Sequence, residues 1–132
     1  LFGFKLFFLI RFLKKLRNNI VDIDLSNSSF SDEVFEMLST FSNLTRLKLN
    51  YTTITGKGIE KLSSLKNLKK LHLINTNLNS TSIKVISSFP AIETVYLFQN
   101  NRDLSKEVTL SNEELKKFDF GGYTIPAEKI IY

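Results

Sequence analysis

A period of 24 residues is the feature that most constrains what this chain can fold into. The segments that align without a gap are 19–42, 43–66, 67–90 and 91–114. Apolar residues recur in the same columns, which are Ile20/Leu44/Leu68/Ile92, Ile23/Leu47/Leu71/Val95, Leu25/Leu49/Leu73/Leu97, Phe30/Ile54/Leu78, Phe35/Ile59/Ile83, Leu38/Leu62/Ile86 and Phe41/Leu65/Phe89. Such regularity predicts stacked copies of one structural unit.

Each segment changes its internal spacing halfway along. The first half alternates apolar and polar residues, as in Leu47–Leu49, which predicts a short strand with one apolar face. The second half places apolar residues three apart, as at Ile59, Leu62 and Leu65, which predicts a helix with an apolar stripe. Polar residues suited to cap the start of each helix precede the stripe, namely Ser31, Thr55 and Asn79.

Residues 44–54 and 68–78 resemble the leucine-rich-repeat pattern L-x-x-L-x-L-x-x-N/C-x-L. The Asn or Cys of that pattern is replaced by Ser28, Thr52 and Thr76 and returns at Asn100. A hydroxyl at this position can bond the backbone of the loop that leaves the strand. The resemblance implies an α/β fold, a leucine-rich-repeat solenoid with short parallel strands on its concave side and helices behind.

The two ends depart from the repeat. Residues 1–18 are predicted to be an N-terminal cap or the helical half of a partial repeat, because Ile10, Leu13 and Leu16 are also three apart. Residues 19–98 hold the repeats, the last of which only begins, and residues 99–132 are predicted to be a capping tail without the repeat pattern. Apolar residues of the tail predicted to cover the last repeat are Val108, Leu110, Leu115, Phe118 and Phe120.

The residues between the core leucines of each strand are expected to point to the concave side, here called the strand face. In chain order they are Asp22, Asp24, Ser26, Arg46, Lys48, Asn50, Lys70, His72, Ile74, Thr94, Tyr96 and Phe98. Parallel stacking places Asp22 beside Arg46 and Asp24 beside Lys48. The candidate partner-binding residues are Arg46, Lys48, Lys70, His72, Ile74, Tyr96 and Phe98. Under the alternative interpretation the acid–base pairs only neutralise one another, and the two aromatic rings pack against the tail.

Charge is unevenly distributed along the chain, whose net charge is +5. Residues 19–42 carry −5, whereas residues 43–66 and 67–90 carry +4 and +3. The basic middle is a candidate for binding nucleic acid or an acidic surface. Its lysines are scattered among strand, helix and loop positions and no nucleic-acid-binding motif is present, so a solvated basic face is favoured.

The sequence does not indicate an enzyme, a cofactor or a metal site. It contains no Cys and one histidine, His72, which is expected to lie between Lys48 and Tyr96 and to stay neutral beside the cation. The pattern Gly56-x-Gly58 lacks the third glycine of a dinucleotide-binding loop, and Gly121-Gly122 is typical of a turn.

The favoured function is that of a non-catalytic module that binds a protein partner through the strand face, as the leucine-rich-repeat resemblance implies. A second resemblance rests on Thr52, Ile54, Thr55, Gly58 and Ile59 and on the later stretches 95–99 and 120–123. These are similar to repeats attached to bacterial c-type cytochrome membrane proteins. This resemblance implies an extracytoplasmic appendage of a haem protein whose haem domain lies upstream.

The first residue is Leu1 rather than Met, which is typical of a fragment or a processed product. Residues 1–16 are the only stretch apolar enough for membrane contact, but Lys5 interrupts them, and the layout of charges is the reverse of a signal peptide. A chain without thiols fits either side of a membrane, so the sequence leaves the compartment open.

Overall fold

The computed structural model describes residue 11 and residues 15–98, 104–121 and 130–131. The strands are β1 (Asp22–Asp24), β2 (Arg46–Lys48), β3 (Lys70–His72), β4 (Thr94–Tyr96), β5 (Leu110–Ser111), β6 (Phe118–Asp119) and β7 (Ile130–Ile131). The α-helices are α1 (Val34–Leu38), α2 (Ser80–Ser87) and α3 (Asn112–Leu115), and 3₁₀ helices cover Ile59–Ser64 and Leu104–Lys106.

Five strands form one parallel sheet in the order β1-β2-β3-β4-β6, and β5 pairs with β7 in a second parallel sheet. The predicted α/β class is confirmed at this level. From β1 to β4 each strand lies in register with residues 24 positions along the chain, as Ile23, Leu47, Leu71 and Val95 do. The predicted neighbours, Asp22 with Arg46 and Asp24 with Lys48, are therefore confirmed.

One continuous apolar core lies behind the five-stranded sheet. The side chains of Leu47, Leu71 and Val95 are fully buried, as are those of Leu49, Leu73 and Leu97 two positions further along the strands. The helices contribute the opposite wall, with residues such as Phe35, Leu62 and Ile83. The alternation in the sequence thus puts one side of every strand into the core and leaves the other side as the strand face.

The helical segments are shorter than the apolar stripes predict, and one of them is not an α-helix. Residues Ile59–Ser64 form a 3₁₀ helix, in which side chains three apart lie directly above one another. The spacing of Ile59, Leu62 and Leu65 suits this tighter helix, and all three are buried. Apolar residues spaced strictly by three therefore indicate a helix but do not distinguish an α-helix from a 3₁₀ helix.

Only one of the three predicted helix caps is confirmed. The Asn79 side chain accepts a hydrogen bond from the backbone N–H of Ser82 at 2.8 Å, so it caps α2. The predictions for Ser31 and Thr55 are wrong, because α1 begins after Glu33 and the 3₁₀ helix begins after Gly58.

The side chains of Ser31 and Thr55 bond other groups. Ser31 donates to the Glu33 carboxylate, and the Thr55 hydroxyl donates to Asp32 of the preceding segment. Asp32 also accepts hydrogen bonds from the backbone N–H groups of Thr55 at 2.9 Å and Gly56 at 3.1 Å. These contacts join two successive segments instead of starting a helix.

The hydroxyl groups that stand in place of the Asn or Cys of the leucine-rich-repeat pattern bond the backbone as predicted. Ser28 donates to the carbonyl of Leu25, Thr52 to that of Leu49 at 2.7 Å, and Thr76 to that of Leu73 at 3.0 Å. Each bond closes the turn that leaves a strand. The fourth position, Asn100, lies outside the described residues.

The tail covers the end of the core as predicted. Val108, Leu110 and Phe120 are buried, and Leu115 and Phe118 are partly buried against the same core. Leu110 is buried and lies 24 residues after Ile86, so one apolar column of the repeat continues into the tail, which was predicted to lack the repeat pattern. Arg102, placed by the alignment at an apolar position, lies outside the described residues.

The N-terminal prediction is wrong at Leu16. Arg11, Lys15 and Leu16 have helical backbone, but Leu16, predicted to be core, is 38% exposed. Its counterpart Leu65 has segments packed on both sides, whereas Leu16 has a described neighbour on one side only. Residues 1–10 and 12–14 of the apolar stretch 1–16, the candidate for membrane contact, lie outside the described residues. No helix within the described residues is long and apolar enough to span a membrane.

Candidate functional site

The strand face brings the seven candidate residues together on three adjacent strands. Lys70 is exposed, and the other six are half-buried, namely Arg46, Lys48, His72, Ile74, Tyr96 and Phe98. One row across the strands reads Arg46, Lys70 and Thr94, and the next reads Lys48, His72 and Tyr96. Ile74 and Phe98 follow at the carboxyl ends of β3 and β4. The face therefore presents cations at one end of the strands and apolar side chains at the other.

The two predicted acid–base pairs behave differently. Arg46 donates from Nε to Asp22 Oδ2 at 2.8 Å, and this hydrogen bond raises the pKa of the guanidinium. Asp24 instead accepts a bond from the backbone N–H of Ser26 at 3.0 Å, and the Ser26 hydrogen bonds lower its pKa. Within the described residues, no ion pair joins Asp24 to Lys48. Arg46 thus forms an ion pair, whereas Lys48 lies beside Asp24 without one.

Lys48 and Lys70 form the cationic centre of the strand face. Among the residues that the structure describes, neither lysine forms an ion pair. Lys70 lies directly across from Arg46, whose charge is already paired with Asp22, and Lys48 lies directly across from His72.

The His72 imidazole stacks on the Tyr96 ring, with centroids 4.3 Å apart and planes 25° from parallel. Burial lowers the pKa of His72, and the positive charges of Lys48 and Arg46 lower it further. The imidazole is therefore neutral at pH 7, as expected from its neighbours. It serves as a flat polar surface rather than as a charge.

Asp119 is a residue of the strand face that the sequence did not reveal. Strand β6 places it beside Tyr96, and its carboxylate accepts the N–H of Gly121 at 2.8 Å. The row that contains Lys48, His72 and Tyr96 thus has an acid at each end, Asp24 and Asp119. The alternation from Phe118 to Phe120 repeats that of the earlier strands and indicates a further strand. It is shifted relative to the 24-residue alignment, so the alignment did not reveal Asp119.

Phe98 lies against the tail. A methyl group added to Gly121 would sit 2.5 Å from Phe98 Cγ, so the glycine backbone approaches the ring closely. This contact supports the alternative interpretation for Phe98, that the ring packs on the C-terminal segment. Tyr96 has its neighbours within the sheet, His72 on β3 and Asp119 on β6.

Gly56 and Gly58 lie in the loop before the 3₁₀ helix, and both have positive φ, 93° and 85°. With the start of α2 they line an open groove of about 560 Å³. Ser82, which is buried in its wall, donates its hydroxyl to Asn79 at 2.9 Å. No group of three or more His, Asp or Glu side chains suited to a metal ion occurs in the described part of the chain.

Comparisons with known proteins give no match: no protein-family model, no curated protein and no solved structure matches this chain.

Proposed function

We propose that this chain is a non-catalytic interaction module, a leucine-rich-repeat solenoid that binds a protein partner through the strand face. Two lysines without an ion pair among the described residues, Lys48 and Lys70, lie next to the half-exposed rings of His72 and Tyr96. This arrangement is the observation that carries the proposal. Tyrosine is enriched at protein-binding hot spots, and cations beside it favour a partner of opposite charge through electrostatic complementarity.

The solenoid part of the proposal is supported by repetition of contacts as well as of sequence. Successive strands from β1 to β4 pair at a constant offset of 24 residues. Equivalent side chains also make equivalent bonds. Asn43 donates to the carbonyl of Asn18 at 2.8 Å, and Asn67 donates to that of Ser42 at 3.2 Å.

The environment of His72 supports a non-catalytic role. A general base needs a partner that orients it and a nucleophile within hydrogen-bond reach. His72 instead stacks on Tyr96 and has Lys48 beside it in the sheet, which disfavours the protonated form.

Nucleic-acid binding through the basic middle is a weaker alternative. Several cations of residues 43–90 already have acidic partners: Arg46 pairs with Asp22, Lys61 with Glu36, Lys69 with Glu93 and Lys84 with Glu114. These pairs interrupt any continuous positive stripe, which a phosphate backbone would need. The resemblance to bacterial cytochrome repeats stays a prediction, which a Cys-x-x-Cys-His motif and membrane spans encoded upstream of Leu1 would support.

The test is affinity capture with a charge-reversed strand face. Lys48→Glu plus Lys70→Glu should abolish capture of the partner, because both lysines lie at the centre of the proposed contact. Lys57→Glu plus Lys66→Glu is the matched control, since it changes net charge equally at exposed residues outside the strands. Capture should survive in the control. If quantitative mass spectrometry finds the same proteins bound to both variants, the strand face is not the binding site.

A further inference from the structure

Tyr51 has a backbone conformation that its side chain does not favour. Three residues other than glycine have positive φ in the described chain, Asn27 at 58°, Tyr51 at 56° and Asn75 at 52°. They are 24 residues apart and occupy the same place after β1, β2 and β3. Asparagine tolerates this left-handed region through its short polar side chain, whereas a bulky residue there is an outlier.

The backbone needs this conformation at all three positions. The N–H of Asn27 donates to the carbonyl of Asn50 at 2.9 Å, that of Tyr51 to Ile74 at 2.8 Å, and that of Asn75 to Phe98 at 2.8 Å. These bonds continue the ladder between neighbouring strands past the strand ends. The turn therefore sets φ at all three positions, and the tyrosine at position 51 departs from the asparagines at the other two.

Burial does not offset the cost of the strained backbone. The Tyr51 side chain is 55% exposed and is among the most exposed large hydrophobic residues in the described chain. An asparagine at this position would satisfy the same backbone bond with less strain. Strained residues that packing does not explain cluster at functional sites.

The position of Tyr51 links it to the strand face. It follows Asn50 at the carboxyl end of β2, and its N–H bonds the carbonyl of Ile74, a half-exposed apolar residue of that face. Lys48 lies three residues before Tyr51 and Lys70 lies four residues before Ile74, which is roughly 10–13 Å along extended chain. Tyr51 and Ile74 thus follow the two lysines just past the ends of β2 and β3.

We propose that Tyr51 contacts the partner, and that the partner is an acidic protein segment carrying a large aromatic or aliphatic side chain. One of its carboxylates lies between Lys48 and Lys70, and its apolar side chain lies on Tyr51 and Ile74. This inference rests on the proposed function, since it names the chemistry of the partner for the same face.

The test compares two anionic polymers of equal length, poly-glutamate and a random copolymer of glutamate and tyrosine, by fluorescence anisotropy with the whole chain. The unaltered protein should bind the copolymer at least fivefold more tightly, a factor typical of one hot-spot contact. Tyr51→Asn should abolish this preference, because it removes the ring. It should also raise the melting temperature by about 3 °C, because asparagine adopts the left-handed turn conformation at a lower cost in free energy. Tyr51→Phe keeps the ring and should retain the preference.

Four outcomes would overturn the inference. Equal binding of both polymers by the unaltered protein removes the aromatic preference, and unchanged preference in Tyr51→Asn removes Tyr51 from the contact. Equal or tighter binding of single-stranded DNA points to phosphate recognition instead. If neither polymer binds while partner capture still depends on Lys48 and Lys70, the strand face remains the binding site and the proposed partner chemistry is wrong.

Discussion

The sheet continues from β4 to β6, but the chain reaches β6 differently from the way it reaches β2, β3 and β4. The first four strands are joined by a constant step of 24 residues, whereas Val95 pairs with Phe118 after a step of 23. Leu47, Leu71 and Val95 are fully buried in the ladder, but Phe118 at its end is only partly buried. Burial of apolar side chains therefore stabilises the repeating strands more than it stabilises the tail.

Polar contacts replace part of that burial in the tail. Lys84 of α2 donates to both carboxylate oxygens of Glu114, at 2.7 and 2.9 Å, and Lys117 donates to the carbonyl of Ser87 at 2.9 Å. Glu114 also closes a capping box with Ser111 at the start of α3. The difference between the two regions is thus one of chemistry, and it predicts different responses to mutation and to pH.

The largest expected effect is in the repeating strands. Leu71→Ala should lower the free energy of unfolding by about 3 kcal/mol, because it opens a cavity between two packed neighbours, Leu47 and Val95. Phe118→Ala should cost only about half as much, although it removes a larger side chain, because Phe118 is partly exposed. Urea denaturation measures both. Equal losses would mean that the tail is packed as tightly as the strands.

Two glycines with positive φ, one in the repeats and one in the tail, test how closely each region is packed. A methyl group at Gly56 would lie 2.1 Å from Ser82 Oγ, and one at Gly121 would lie 2.5 Å from Phe98 Cγ. Gly56→Ala should cost about 2 kcal/mol, since Ser82 is buried and held by Asn79, and Gly121→Ala should cost less because Phe98 is only half-buried.

The control for these substitutions is Gly58→Ala. Gly58 has a positive φ of 85°, but nothing lies within 4 Å of an added methyl group. This variant should therefore show the backbone cost alone, about 1 kcal/mol. A Gly56→Ala cost no greater than this would contradict the close packing of that loop on α2.

The smallest expected effect is electrostatic and is confined to the tail. The hydrogen bond from Lys84, followed by that from the Ser111 backbone, lowers the pKa of Glu114 from its ordinary 4.5 to about 2. Because the folded pKa lies below the unfolded one, this stabilisation is complete above pH 4.5 and is lost as the pH falls through 2. Glu114→Gln should cost about 1 kcal/mol at pH 7, since the exposed Lys84 ammonium weakens the pair, and less at pH 3.

Glu113→Gln is the matched control for that substitution. Glu113 pairs with Lys116 in the same helix, and both side chains are exposed. Its removal should leave stability nearly unchanged at either pH. Guanidinium chloride would screen these charges, so urea is again the denaturant of choice. A Glu113→Gln loss as large as that of Glu114→Gln would contradict the proposed attachment of the tail.

The sequence predicted the parts of the fold that depend on periodicity. The column through Ile23, Leu47, Leu71 and Val95 fixes the strand register, because a shift by one residue would turn every apolar side chain away from the core. The hydrogen bonds of Ser28, Thr52 and Thr76 follow from the same alignment. The cations and rings of the strand face were placed correctly for this reason.

Features that depend on a single local conformation were not predictable in this way. Ser31 and Thr55 have the chemistry of helix caps but bond side chains instead, since α1 and the 3₁₀ helix begin several residues later. The shortened step to β6 shifts Asp119 out of the alignment, so its place beside Tyr96 was missed. The left-handed backbone of Tyr51 is set by the turn, and the spacing of apolar and polar residues in the sequence does not indicate it.

The backbone at residue 51 also has an evolutionary consequence. Tyrosine and asparagine codons differ by a single base, so a change that relaxes this turn is always within reach of ordinary mutation. A lineage in which the ring contributed nothing would drift toward the asparagine found at Asn27 and Asn75. Lineages that retain an aromatic residue there should be those in which selection acts on the ring itself.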